Sequence, residues 1–112
     1  MKWPFRKNAI SNKREARRFY NVKEYKKAEP FLDAILKENP NDVWAMDVLS
    51  RLYMNTTRHD TAVEVLQRLI SFNPQPEFLR RIIHAGCVSD QRQLVMRFAN
   101  KVDWKPGDEG IL

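Results

Sequence analysis

The stretch Val43-Trp44-Ala45-Met46-Asp47-Val48-Leu49-Ser50-Arg51-Leu52-Tyr53-Met54-Asn55-Thr56-Thr57-Arg58-His59, continuing to Pro74, decides how the rest of the chain is read. It contains two apolar-striped helical patterns joined by the turn Asn55-Thr56-Thr57-Arg58-His59. The pattern also lies thirty-four residues earlier. Ala28, Phe31, Leu32, Ile35, Leu36, Asn39 and Pro40 recur as Ala62, Val65, Leu66, Leu69, Ile70, Asn73 and Pro74, while Phe19 recurs as Tyr53 and Ala16 as Ser50. A fixed period of this length is the signature of a repeat architecture, in which no single unit buries its own apolar face.

Outward from that stretch, the composition supports a helical chain. Of 112 residues, 43% are hydrophobic, 30% are charged and only three are glycine. That range belongs to folded helical proteins and not to disordered ones. No run approaches the roughly 18 apolar residues of a bilayer span. The start, Met1-Lys2-Trp3-Pro4-Phe5-Arg6-Lys7, lacks the apolar core of a secretory signal. One cysteine, Cys87, permits no internal disulfide and fits a reducing cytoplasm. The net charge of +6 is uneven. Residues 1–27 hold ten Lys and Arg against Glu15 and Glu24, and the remainder is slightly acidic. The excess positive charge therefore sits in the first quarter.

Taken in order, residues 1–8 read as a basic, flexible lead-in. A first helix from about Ala9 or Ser11 to Val22 has a thin apolar side of Ile10, Ala16, Phe19, Tyr20 and Val22. A second, about Glu24 to Glu38, carries Ala28, Phe31, Leu32, Ile35 and Leu36 at core-facing spacing. Pro30 either delays its start to near Lys27 or bends its first turns. Asn39-Pro40-Asn41-Asp42 ends it and supplies a cap for the third helix, about Asp42 to Met54. That helix directs Met46, Leu49, Ser50 and Tyr53 inward and leaves Trp44, Asp47, Val48 and Arg51 on its other sides. A fourth, about His59 to Phe72, buries Ala62, Val65, Leu66, Leu69 and Ile70. Pro76 opens a fifth, about Pro76 to Cys87, that draws its core from Phe78, Leu79, Ile82, Ile83 and Ala85. Gly86 reads as its stop signal. A sixth, about Asp90 to Val102, presents Leu94, Val95, Phe98 and Val102. Residues 103–112 have the chemistry of a tail or linker.

These residues resemble the tetratricopeptide repeat family. Its 34-residue helix–turn–helix unit places a large aromatic, a Leu, a small residue, a Tyr, an Ala, a large apolar residue and a Pro at set points. Residues 43–76 hold Met46, Leu49, Ser50, Tyr53, Ala62, Leu66 and Pro74 there. Residues 9–42 hold Asn12, Glu15, Ala16, Phe19, Ala28, Leu32 and Pro40, so the first helix of that unit departs from the pattern. The third unit, 77–102, keeps two helices with a shortened turn and little of the signature. The resemblance implies an all-α fold, a right-handed stack of about three antiparallel helix–turn–helix hairpins. Five large side chains per second helix, at about 1.5–3 kcal/mol each, outweigh the roughly 3 kcal/mol cost of Pro30.

Catalytic chemistry has little to work with. The chain has His59, His84 and Cys87, but no HExxH, CxxC, phosphate-cradling glycine loop or GxSxG. His84 and Cys87 share a helix face, yet two ligands without a third do not make a metal site. His59 stands where the family often has an aromatic, which implies stacking. The expectation is a protein that is not an enzyme, with no cofactor and no metal.

A binding surface is the better candidate. In the family, the first helices of successive units line a concave groove that grips an extended peptide or a partner's helix. The corresponding positions here are Lys13, Arg17, Tyr20 and Asn21, then Asp47, Arg51, Met54 and Asn55, then Arg81. This mostly cationic wall suits an acidic or extended segment of another protein, since guanidinium forks onto carboxylates. The carboxylate clamp of chaperone-binding members is not reproduced, because Lys13 fits it while Arg17, Val48, Phe78 and Ile82 do not. A second reading has Trp3, Phe5, Arg6, Lys7, Arg14 and Arg18 set an accessory module of a larger enzyme on an anionic membrane surface or polymer. Nucleic acid is disfavoured because no reading motif accompanies the basic residues. The sequence leaves open whether the chain forms a homo-oligomer through Phe78, Trp104 or other exposed apolar residues. The location expected is cytoplasmic, with peripheral membrane contact under the second reading.

Overall fold

The computed structural model describes the backbone of residues 4–101 and the side chains of residues 11–101. Its helices are α1 (Pro4–Asn21), α2 (Tyr25–Glu38), α3 (Val43–Asn55), α4 (His59–Phe72), α5 (Pro76–Val88) and α6 (Arg92–Ala99). No strand occurs among the described residues. The chain is all-α and built from helical hairpins, as the repeat pattern predicts. It divides into two compact units, Met1–Leu52 and Tyr53–Leu112.

In the N-terminal unit α1 packs along α2. Ala16, Ala28, Leu32 and Ile35 are buried, and Phe19 stacks on Phe31 with ring centroids 5.8 Å apart. In the C-terminal unit α5 packs against both α4 and α6. Its core holds Ala62, Leu66, Leu69, Phe78, Leu79, Ile82, Ile83, Leu94 and Phe98.

Each hairpin turns by the same backbone device. The first helix ends in a residue with left-handed φ: Lys23 (64°), Thr57 (58°) and Asp90 (60°). Its N–H donates back to the carbonyl of Tyr20, Met54 or Cys87, and the next N–H donates to Phe19, Tyr53 or Gly86. That is the Schellman closure, which satisfies two carbonyls left over at a helix end. The residue making the second bond (Glu24, Arg58 or Gln91) is at once the N-cap of the following helix. Its carbonyl accepts from Ala28, Ala62 or Val95.

These hydrogen bonds fix the register of the third hairpin. Thirty-four residues separate Lys23 from Thr57 and thirty-three separate Thr57 from Asp90. The third turn is therefore not shortened. The missing residue falls between hairpins, where Asn39-Pro40-Asn41-Asp42 is matched by Asn73-Pro74-Gln75. Gly86 is likewise not a stop signal. It lies inside α5, buried at the place Tyr53 occupies in α3, and a Cβ there would meet Val95 Cγ2 at 2.8 Å and Leu94 Cδ2 at 3.3 Å.

Three further expectations are revised, while α2 keeps its expected bounds to within one residue and does not start late at Lys27. Helix α1 begins at Pro4, earlier than Ala9, so residues 4–8 are helical. Helix α2 begins at Tyr25 and keeps Pro30 inside it. Its start is pinned because Lys27 and Ala28 both donate to the Glu24 carbonyl, at 3.1 and 3.0 Å. The donor Pro30 lacks would have served Lys26, which faces solvent. Val48 is buried, as are Ala45 and Leu52, so α3 leaves only a narrow strip accessible around Trp44, Asp47 and Arg51. Helix α6 is shorter than expected at both ends. The predicted cap is present, with Asp42 Oδ1 accepting from the Ala45 N–H at 2.8 Å.

Candidate protein-binding cleft

Within the N-terminal unit, α1 and the first part of α3 border a cleft of about 300 Å³ lined by Arg17, Tyr20, Asn21, Trp44, Asp47, Val48 and Arg51. On α1, Lys13, Arg17, Tyr20 and Asn21 fall on one face because they are spaced four, three and one apart. On α3, the steps from Trp44 to Asp47, Val48 and Arg51 do the same. Ala45, Met46 and Leu49 anchor the buried side of α3 and so aim that strip outward.

Trp44 is the centre of the arrangement. Lys13 Nζ lies 4.9 Å and Arg17 Cζ 5.4 Å from its ring centroid. Both cations are thus held against an indole, a contact worth about 0.5–1 kcal/mol at exposed sites. Arg51 is held differently. Its Nη2 donates to Asp47 Oδ2 at 2.9 Å and its Nε to Asp47 Oδ1 at 3.2 Å, a two-point fork one helical turn long. Ser50, buried behind it, donates its hydroxyl to the Asp47 carbonyl at 2.8 Å. On the other side of the cleft Tyr20 packs on Tyr25 at 5.5 Å. The result is a cationic rim with an aromatic floor and amide and phenol hydrogen-bonding groups at one end.

The structure therefore brings together Lys13, Arg17, Tyr20, Asn21, Asp47 and Arg51 from the expected set. Sequence reasoning missed Trp44 and Val48. The signal for Trp44 was a large aromatic on the polar side of an amphipathic helix, three and seven residues before Asp47 and Arg51. Met54 and Asn55, half-buried and exposed, belong to the C-terminal unit. So does Arg81, whose register differs from the expectation. The turn hydrogen bonds make Arg80 the equivalent of Asp47 and His84 that of Arg51, while Arg81 matches Val48. Arg81 accordingly has a side chain only 14% exposed, pairs with Glu77 at 3.4 Å and lies over Phe78 at 5.4 Å.

The remaining candidates are scattered. His59 is the first residue of α4, and its ring meets that of His84 edge-on at 6.3 Å, not in the stacked arrangement expected. His84 and Cys87 are exposed, and no group of three metal-ligating side chains occurs among the described residues. Phe78 is 3% exposed, and Trp104 lies outside the described residues. Of the residues expected to meet an anionic surface, the side chains of Trp3, Phe5, Arg6 and Lys7 also lie outside them. Arg14 is exposed, and Arg18 is engaged by Glu15 at 3.1 Å and by the Phe19 ring at 4.5 Å. No helix among the described residues is long and apolar enough to cross a membrane.

A family model for the tetratricopeptide repeat matches residues 22–80, more than half of the chain. The chain belongs to that family, and with it to a class of protein–protein interaction modules that in general carry no enzymatic activity. No curated protein matches it. Among solved structures, the MamA RS-1 ArsTM double mutant superposes with a TM-score of 0.66 at 19% identity, over 89% of this chain and 61% of that one. The likeness is one of fold, and this chain spans about three-fifths of that protein's length.

Proposed function

We propose that the chain is a docking module that binds an acidic, extended segment of another protein in the α1–α3 cleft. The observation that carries this reading is the pair of cations on Trp44, Lys13 at 4.9 Å and Arg17 at 5.4 Å. Stacking on the indole restricts two long side chains before a ligand arrives, so less entropy is lost when they meet carboxylates. The Asp47–Arg51 fork neutralises the third cation. Tyr20 and Asn21 supply groups of the kind that hydrogen-bond a peptide backbone. The Trp44 ring offers apolar area between the charges.

The test is an anisotropy titration of the full chain with a fluorescein-labelled acidic peptide, EDLDEDLE, at two salt concentrations. Binding should weaken as salt rises, because the rim charges face solvent. Arg17→Glu should weaken it at least tenfold, and Trp44→Ala by several-fold with the circular dichroism unchanged. Equal binding by wild type and an Arg17→Glu/Arg51→Glu double variant would refute this assignment of the cleft.

A further inference from the structure

The C-terminal unit holds a second cleft, of about 540 Å³, that the reading above does not use. Ile70 at the end of α4, Pro74 in the following linker, Leu79 of α5 and Phe98 of α6 form an apolar floor. Ile70, Leu79 and Phe98 are each 7% exposed, so the floor is the accessible edge of the core and not a loose surface patch. Two cations stand at its rim. Arg97 Cζ lies 5.3 Å and Lys101 Nζ 5.2 Å from the Phe98 ring centroid, and both side chains are exposed. Among the described residues, none that lines this cleft is acidic. In the α1–α3 cleft, by contrast, Asp47 occupies one of the guanidinium groups.

We infer that this cleft is a second docking site, for a short acidic segment of a partner protein that seats one large apolar side chain on Phe98. The volume falls within the range of about 300–1,000 Å³ typical of ligand clefts. The charge pattern selects the occupant. An apolar segment alone leaves Arg97 and Lys101 without counter-charges, and a basic one is repelled by them. A segment with carboxylates on both sides of an aromatic or leucine anchor satisfies floor and rim together. Lys and Arg on aromatic faces keep their polar ends outward while their stems extend the apolar wall.

The site can be tested on the uniformly ¹⁵N-labelled full chain with the peptide EDFDE. The expected result is saturable shifts of the Ile70, Leu79 and Arg97 amides, weakened at least tenfold by Arg97→Gln/Lys101→Gln and preserved in Arg17→Glu/Arg51→Glu. Shifts at Arg17 and Trp44 report the first cleft separately, so failure of one assignment leaves the other readable. Equal binding of QNFNQ would show that charge plays no part, and equal binding of EDADE that no anchor is seated. Shifts that appear only when the chain is cut after Lys101 would assign the cleft to the chain's own residues 102–112. Any of these three results, or an absence of shifts at millimolar EDFDE, overturns the proposal.

Discussion

The second and third hairpins close with the same hydrogen bonds but fill the space behind them in opposite ways. Behind Thr57, the pair of positions is Tyr53 and Ala62; behind Asp90, it is Gly86 and Val95. The large residue has moved from the first helix to the second. Tyr53 is 7% exposed and carries Arg58 over its ring at 4.4 Å, while Ala62 is fully buried. At Gly86 no side chain intervenes, and Val95 comes close enough that a Cβ would meet it at 2.8 Å. The repeat is thus kept within this molecule as backbone geometry, not as a set of side chains: Gly86 and Val95 together fill less space than Tyr53 and Ala62, and α5 and α6 approach closely at Gly86. In an interior packed at crystal-like density, volume lost on one helix is closed by a bulkier neighbour or by closer approach, and the third hairpin uses both.

Exchanging the large residues should produce the biggest effect. Tyr53→Gly removes a buried aromatic, at about 3–5 kcal/mol, and adds about 1 kcal/mol for glycine within a helix. Gly86→Tyr, which supplies the third hairpin with the family's own residue, should also destabilise, by about 3 kcal/mol or more, because the ring has no space beside Val95 and Leu94. Urea melts of both variants, with amide exchange of α6 to localise the loss, will check this. A neutral Gly86→Tyr would break the comparison, because it would mean the close approach of α5 and α6 is not enforced.

A smaller step sharpens it. Gly86→Ala gains about 1 kcal/mol of helix propensity but must push Val95 aside, at about 1–3 kcal/mol, so the net should be a loss of about 1 kcal/mol. Val95→Ala removes the clashing methyl. In the double variant the propensity gain is realised, and the two substitutions should couple favourably by about 1 kcal/mol or more. Additive behaviour in that cycle would separate the two positions energetically.

The same comparison explains what could be read from the sequence. The second hairpin was legible because its side chains carry the repeat signature, and Asp42 advertised its cap in an Asn-Pro-Asn-Asp linker. In the third hairpin, the deletion between Phe72 and Pro76 and the exchange at Gly86 and Val95 hid a turn that is geometrically the same. A glycine near the end of a helix reads as a terminator, and only the backbone shows that it is a packing position three residues inside. The one-residue error also displaced Arg81 from the candidate site. Trp44 was missed for a related reason: once Val48 is buried, the accessible strip of α3 narrows and the indole lies at its centre. Periodicity gives the direction of a stripe better than its width.

The hairpins also differ in how the helices that follow are capped. Asp42 caps α3 through its carboxylate, whereas Arg58 and Gln91 cap α4 and α6 with main chain alone. Asp42→Ala should therefore cost about 1 kcal/mol, measured as a lower urea midpoint with unchanged slope. A cost near zero would show that α3 is held by its burial and does not need the cap.

The smallest effects lie at the turns, and their order tests whether the three closures are equivalent. A left-handed conformation costs a residue with a Cβ about 1–2 kcal/mol, and glycine relieves it while losing about 0.5–1 kcal/mol of its own backbone freedom. Substituting glycine should then stabilise the chain by up to about 1 kcal/mol. Thr57→Gly should gain most, because a β-branched side chain is least at ease at φ 58°. Lys23→Gly should follow. Asp90→Gly should gain least, since Asp already tolerates this region. Asp90 also faces Arg92 at 3.2 Å, but both side chains are so exposed that the pair adds little. If Asp90→Gly gained most, the third turn would be strained by the close packing at Gly86, and the equivalence drawn from its hydrogen bonds would hold for the contacts but not for the energy.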